Sequence, residues 1–125
     1  MRLHLLVATS SEYRRHWYAN ELPQHNVDVD VVLNCEECIE QLHRQRPDGL
    51  VIEAGLKHDG ANRILTRLNT ESESPPIPVI LVSLEGVSAS VYQLARFSIH
   101  GFFGRLPKAE DLAASLHLAT LTEKK

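Results

Sequence analysis

Short apolar runs alternate along the chain with longer stretches whose apolar residues return every three or four positions. The first rhythm is that of a buried strand, the second that of an amphipathic helix. Residues 3–7, LHLLV, read as a strand. Ser10 or Ser11 is placed to cap the following helix, because a hydroxyl accepts from the free amides of a first turn. Glu12 falls in that turn, where the helix dipole favours an acid. Tyr13 and Trp17 are four residues apart and share a face, expected to point at the core, with Tyr18 off that face and exposed. Pro23 stops the helix. VDVDVV, residues 27–32, alternates valine and aspartate, which predicts a half-exposed strand near a sheet edge.

In NCEECIEQLHRQRPDG, Cys35, Cys38, Ile39 and Leu42 fall at helical spacing, with Glu36, Glu37, Glu40, Arg44 and Arg46 elsewhere. This is an amphipathic helix with both cysteines on the buried stripe, where a free thiol packs as a small hydrophobe. The C-x-x-C spacing also occurs in redox pairs and half zinc sites, but no second cysteine pair or His-x-x-x-His follows. Residues 49–52 form a strand without alternation, as expected mid-sheet with both faces covered. A short helix over 61–68 carries Ile64, Leu65 and Leu68, and residues 69–78, NTESESPPIP, read as a loop. VILVS, residues 79–83, is another buried strand. A helix over about 87–97 carries Val87, Val91, Leu94 and Ala95. GFF, residues 101–103, is a short last strand, and Pro107 opens a last helix with Leu112, Leu116 and Ala119 on one face. Five strands alternating with five helices predict an α/β fold, a parallel sheet with helices on both faces.

The 125 residues bound this to one domain, and 43% hydrophobic with 23% charged residues is ordinary globular composition. A net charge of −3 sets up no field that draws nucleic acid or an anionic membrane, so neither is expected as a direct partner. No apolar run approaches a membrane span. Met1 leads into a charged residue and a strand, not a secretory leader, and a cytoplasmic location is the expectation.

In an open α/β sheet the ligand site lies beyond the carboxyl ends of the strands. The residues there are Ala8, Thr9 and Ser10, then Glu53, Ser83 and Arg105. ATSSE holds no glycine, so the phosphate-cradling loop of a flavodoxin-like cofactor binder is absent, and no cofactor is expected. None of the seven histidines has ligand spacing. His58 and Asp59 follow Glu53 closely, but no nucleophile partner for a base is evident.

Four stretches resemble the receiver domain of bacterial response regulators, in the family's order and spacing. RPDGLVIEAGLKHDG, residues 46–60, is similar to the third strand and loop, where the family keeps its phospho-acceptor Asp. PVILVS, residues 78–83, is similar to the fourth strand ending on a hydroxyl. SIHGFFGRLPKAEDLAASL, residues 98–116, resembles the fifth strand, with its aromatic switch position at Phe102, its lysine position and its last helix. NCEECIEQLHRQRPDG is similar to the second helix. The resemblance implies a doubly wound (βα)5 sheet in the order 2-1-3-4-5, a CheY-like three-layer sandwich, and a non-enzymatic signalling role.

The departures bear on chemistry. Receivers hold magnesium with two acids after the first strand; Ala8 and Thr9 stand there. Glu53 replaces the phospho-acceptor and Arg105 the lysine, while Ser83 fits. Phosphoryl transfer to a carboxylate needs a cation to offset charge, and magnesium needs several hard oxygens. Glu53 also reaches one methylene farther, and a displacement on the order of 1 Å costs about a hundredfold in rate. The resemblance thus implies a pseudoreceiver that works without phosphorylation. The alternatives are an altered receiver still phosphorylated or ligand-responsive at Glu53, or a flavodoxin-like binder. Glu53 is expected to face Arg105 and Ser83, either as a locked switch or as a plain ion pair. By resemblance, Tyr92, Arg96, Phe97, Phe103, Leu112 and Leu116 belong to the face that receivers use for dimers and partners. A homodimer and a protein partner or attached output domain are expected. The last helix runs into TEKK without a stop signal, so the chain is expected to be the front part of a longer regulator.

Overall fold

Each apolar run forms a strand, and all the strands run in one direction. In the computed structural model, which describes residues 2–71 and 76–123, five strands make one parallel sheet. They are β1 (Leu3–Ala8), β2 (Val27–Val32), β3 (Gly49–Glu53), β4 (Val79–Val82) and β5 (Gly101–Phe103), in the order β2-β1-β3-β4-β5. Between and after them lie α1 (Glu12–Glu21), α2 (Cys35–Arg44), α3 (Gly60–Thr70), α4 (Ala89–Leu94) and α5 (Ala109–Glu123). The expected doubly wound architecture and strand order are present.

Successive strand residues point to opposite faces, so a sheet covered on both sides needs apolar residues at every position. Leu6, Ala8, Leu50, Ile52 and Leu81 face one core, against Cys38 of α2, Ile64 of α3 and Leu94 of α4. Leu5, Val7, Val51, Ile80 and Val82 face the other, against Tyr18 of α1 and Leu112 and Leu116 of α5. Every residue of β3 is buried, as its unbroken run requires. On β2 the aspartates are exposed and the strand lies at the sheet edge. Gly49 allows α5 its close approach: a Cβ there would lie 2.0 Å from Leu116 Cδ1.

Local signals set most boundaries. Ser11 caps α1, its Oγ accepting from Arg14 N at 3.1 Å. Pro23 lies in a 3-10 turn, Leu22–His25, after α1 ends. Asn34 caps α2, its Oδ1 accepting from the Glu37 amide, and the Glu37 carboxylate reaches back to accept from the Leu33 amide, one residue before the cap. Both cysteines are free and buried on the α2 stripe.

Several expectations change. Tyr13 is 79% exposed and Tyr18 is fully buried, the reverse of the helical-face reading. The cause is the rotation of α1, set by burying Tyr18 together with Leu22 of the following turn; Trp17 lies half-buried, edge-on to Tyr18 at 5.2 Å between centroids. Leu112 and Leu116 are fully buried, so they belong to the core and not to an interaction face. α3 is longer than 61–68, α4 is shorter than 87–97 with Val87 exposed, and α5 starts two residues after Pro107. Residues 72–75 of the expected loop lie outside the described residues.

Candidate functional site

Parallel strands bring their carboxyl ends to one edge, and the central strands β1, β3 and β4 deliver Thr9, Glu53 and Ser83 there, all buried. The end of β1 pairs with β3 through Ala8 and Ile52, so Thr9 comes alongside Glu53. α1 starts directly after β1, and its capped first turn carries Arg14 over the same edge.

Glu53 is only 3% exposed, and both its carboxylate oxygens are taken. Oε1 accepts from Thr9 Oγ1 at 2.7 Å and from Arg14 Nη2 at 3.0 Å. Oε2 accepts from Arg14 Nε at 2.9 Å and from the Tyr18 hydroxyl at 2.9 Å. The guanidinium thus grips the carboxylate two-pronged, the geometry that makes such pairs strong and directional. Its hydrogen bond to Glu53 raises the Arg14 pKa, outweighing the opposing effect of burial. Burial, and after it the Glu53 charge, pushes the Tyr18 phenol far above its ordinary range, so it remains a donor. Thr9 Oγ1 also accepts from the Ser11 amide at 3.2 Å, which ties the quartet to the α1 cap.

A cleft of about 220 Å³ opens beside the quartet, lined in part by Arg14, Glu53, Ser83, Glu85 and Ser88. Ser83 shares this cleft but donates to the Gly86 carbonyl at 2.7 Å instead of to Glu53. Arg105 is exposed, and among the described residues no hydrogen bond or ion pair joins it to Glu53. The expected contact of Glu53 with Arg105 and Ser83 is therefore corrected. Arg105 follows β5, two strands from β3 and so about 10 Å across the sheet, whereas α1 begins over the neighbouring strand end. His58 and Asp59 are exposed, with left-handed backbone; Asp59 lines a separate cleft between α3 and α4 and accepts from Asn62.

Arg14 and Tyr18 were not among the expected site residues. The signal was present: they stand one helical turn apart, right after the cap that follows β1.

The residues do not fit the magnesium that the receiver resemblance implies. Ala8 offers no side-chain oxygen, the Thr9 hydroxyl donates to Glu53, and Glu53 has no free lone-pair direction left for a hard cation. Among the described residues no three His, Cys, Asp or Glu side chains gather as a metal set.

A parallel sheet in this order with helices on both faces is the doubly wound, flavodoxin/CheY-like α/β fold. The solved structures similar to this chain bear that out. The receiver domain of Francisella response regulator 1452 is 15% identical, with a TM-score of 0.82, over 97% of this chain and 98% of that one. The signal receiver domain of a modulated diguanylate cyclase from Desulfovibrio desulfuricans G20 is 20% identical, with a TM-score of 0.83, over 99% and 98%. The N-terminal domain of a response regulator/sensory box/GGDEF protein from Carboxydothermus hydrogenoformans is 18% identical, with a TM-score of 0.81, over 97% and 96%. The chain has the response-regulator receiver fold. No protein-family model and no curated protein matches it.

Proposed function

We propose that this chain is a regulatory module of signal transduction that works through protein contacts and without phosphorylation at Glu53. The observation that carries this is the saturation of Glu53: four donors from Thr9, Arg14 and Tyr18 occupy both oxygens of the acid that ends β3. A nucleophilic carboxylate needs a free oxygen and a nearby cation to neutralise the incoming group. Here the oxygens are occupied, and Ala8 and Thr9 supply no acid to hold that cation.

The output then lies in contacts. Tyr92 and Phe102 are exposed at 72% and 41%, with Arg96 beside them in sequence on the α4–β5 side. Phe97 and Phe103 are half-buried, packed against the two cores on opposite faces of the sheet. These residues form the proposed face for a homodimer, a protein partner or an attached output domain. An attached output is supported by two structural neighbours whose names place the domain in a diguanylate cyclase and in a GGDEF protein.

Backbone amide NMR with beryllofluoride and magnesium tests the reading. Unchanged Ala54, Ser83 and Phe102 resonances are expected. Saturable shifts at those positions would establish a phosphoryl-accepting receiver instead.

A further inference from the structure

We propose that Arg14 is a resident counter-ion that stands in place of a divalent cation, holding the β1–α1–β3 junction in one state whatever the metal concentration. This deepens the reading above and rests on it, since it names what keeps the site closed.

The geometry carries the inference. A carboxylate buried at a strand end needs positive charge beside it, because an isolated ion in so dry a place is strongly disfavoured. No acid pair is present after β1 to recruit that charge as a metal. The chain supplies it from its own first helix: Arg14 Nε and Nη2 lie 2.9 and 3.0 Å from the two Glu53 oxygens. Thr9 and Tyr18 fill the remaining lone pairs. A guanidinium is always charged and is held covalently, so neither pH nor cation concentration can remove it. A bound metal leaves when its concentration falls; Arg14 does not.

The charged and titratable groups around Glu53 are few. α1 contributes Arg14 and Tyr18, and the segment after β4 contributes Glu85 to the shared cleft. The loop after β3 carries Lys57, His58 and Asp59, and the segment after β5 carries Arg105 and Lys108, all exposed. Among the described residues, only Arg14 forms an ion pair with the carboxylate.

Charge rescue tests the role of Arg14. In Arg14→Met, Glu53 is left buried without a cation, and Tm is expected to fall by on the order of 10 °C near neutral pH. That variant should take up a proton on Glu53, whose folded pKa would then exceed its unfolded value of about 4.3. The stability of Arg14→Met therefore falls as pH rises from 5 to 8, relative to wild type. Glu53→Gln added to Arg14→Met removes the orphaned charge and should restore most of the lost Tm and erase that slope. If the double variant is no more stable than Arg14→Met, or Arg14→Met keeps the wild-type pH profile, the inference is overturned. Should Arg14→Met alone not fold, a folded double variant supports the inference and an unfolded one overturns it. Manganese chloride on the wild type tests the second half: no selective paramagnetic broadening of the Thr9 and Ala54 amides is expected, and such broadening would defeat it. A beryllofluoride response with intact charge rescue would remove only the phosphorylation-independent reading.

Discussion

Glu53 keeps its negative charge out of water by accepting four hydrogen bonds, and each donor has its own consequence. Tyr18→Phe removes one charge-assisted bond and adds no bulk, so it should cost about 2 kcal/mol, read from urea midpoints. The raised Tyr18 pKa also carries a pH dependence. Its contribution is intact below the unfolded phenol value of about 10 and is lost as pH rises above it. Alkaline unfolding of the wild type should therefore be steeper than that of Tyr18→Phe, and identical curves would count against a buried Tyr18 donor. At this scale the sequence was half legible. Glu53, Thr9 and Ser83 follow from strand ends. Arg14 and Tyr18 required knowing how α1 is rotated, which no single-helix pattern decides when polar and aromatic residues occupy nearly every position.

α1, α2 and α4 repeat one device, a polar side-chain cap followed by residues packed on the sheet. Asn34 Oδ1 accepts from the Glu37 amide at 2.8 Å, so Asn34→Ala should destabilise α2 and the domain by about 1 kcal/mol in thermal or urea unfolding. Gly49 is a packing requirement of a different kind. Its added Cβ would fall on Leu116 Cδ1, in a core where Leu116 is fully buried. Gly49→Ala should cost about 1–3 kcal/mol by overpacking, with the same measurement showing no loss if α5 can shift freely. Strand and helix identities were legible because their periods differ. Helix lengths were not: α3 gains residues from its loops and α4 loses them, since tertiary contacts decide where a helix stops being worth forming.

Across the whole molecule, two cores lie on opposite faces of one sheet, and the one beneath α2, α3 and α4 buries both cysteines, Cys35 at 1% and Cys38 at 0% exposure. Burial pushes both thiols up, Cys38 to about 12, so they stay protonated and unreactive at neutral pH. A thiol reagent such as dithionitrobenzoate should label them only at the rate of unfolding; rapid labelling of the native protein would contradict this burial. The alternation of apolar runs with helical stripes was enough to specify a parallel α/β sheet and its central strands, because burial on both faces writes itself directly into composition along the chain. It also placed an acid at the β3 end and left no acids at the β1 end. What faces that acid was decided only in three dimensions. Glu53 and Arg14 are far apart in sequence, and their meeting depends on β1 lying beside β3 and on α1 turning Tyr18 inward. Strand adjacency and helix rotation are long-range packing outcomes, and they put Arg14 at the acid while leaving Arg105 two strands away in solvent.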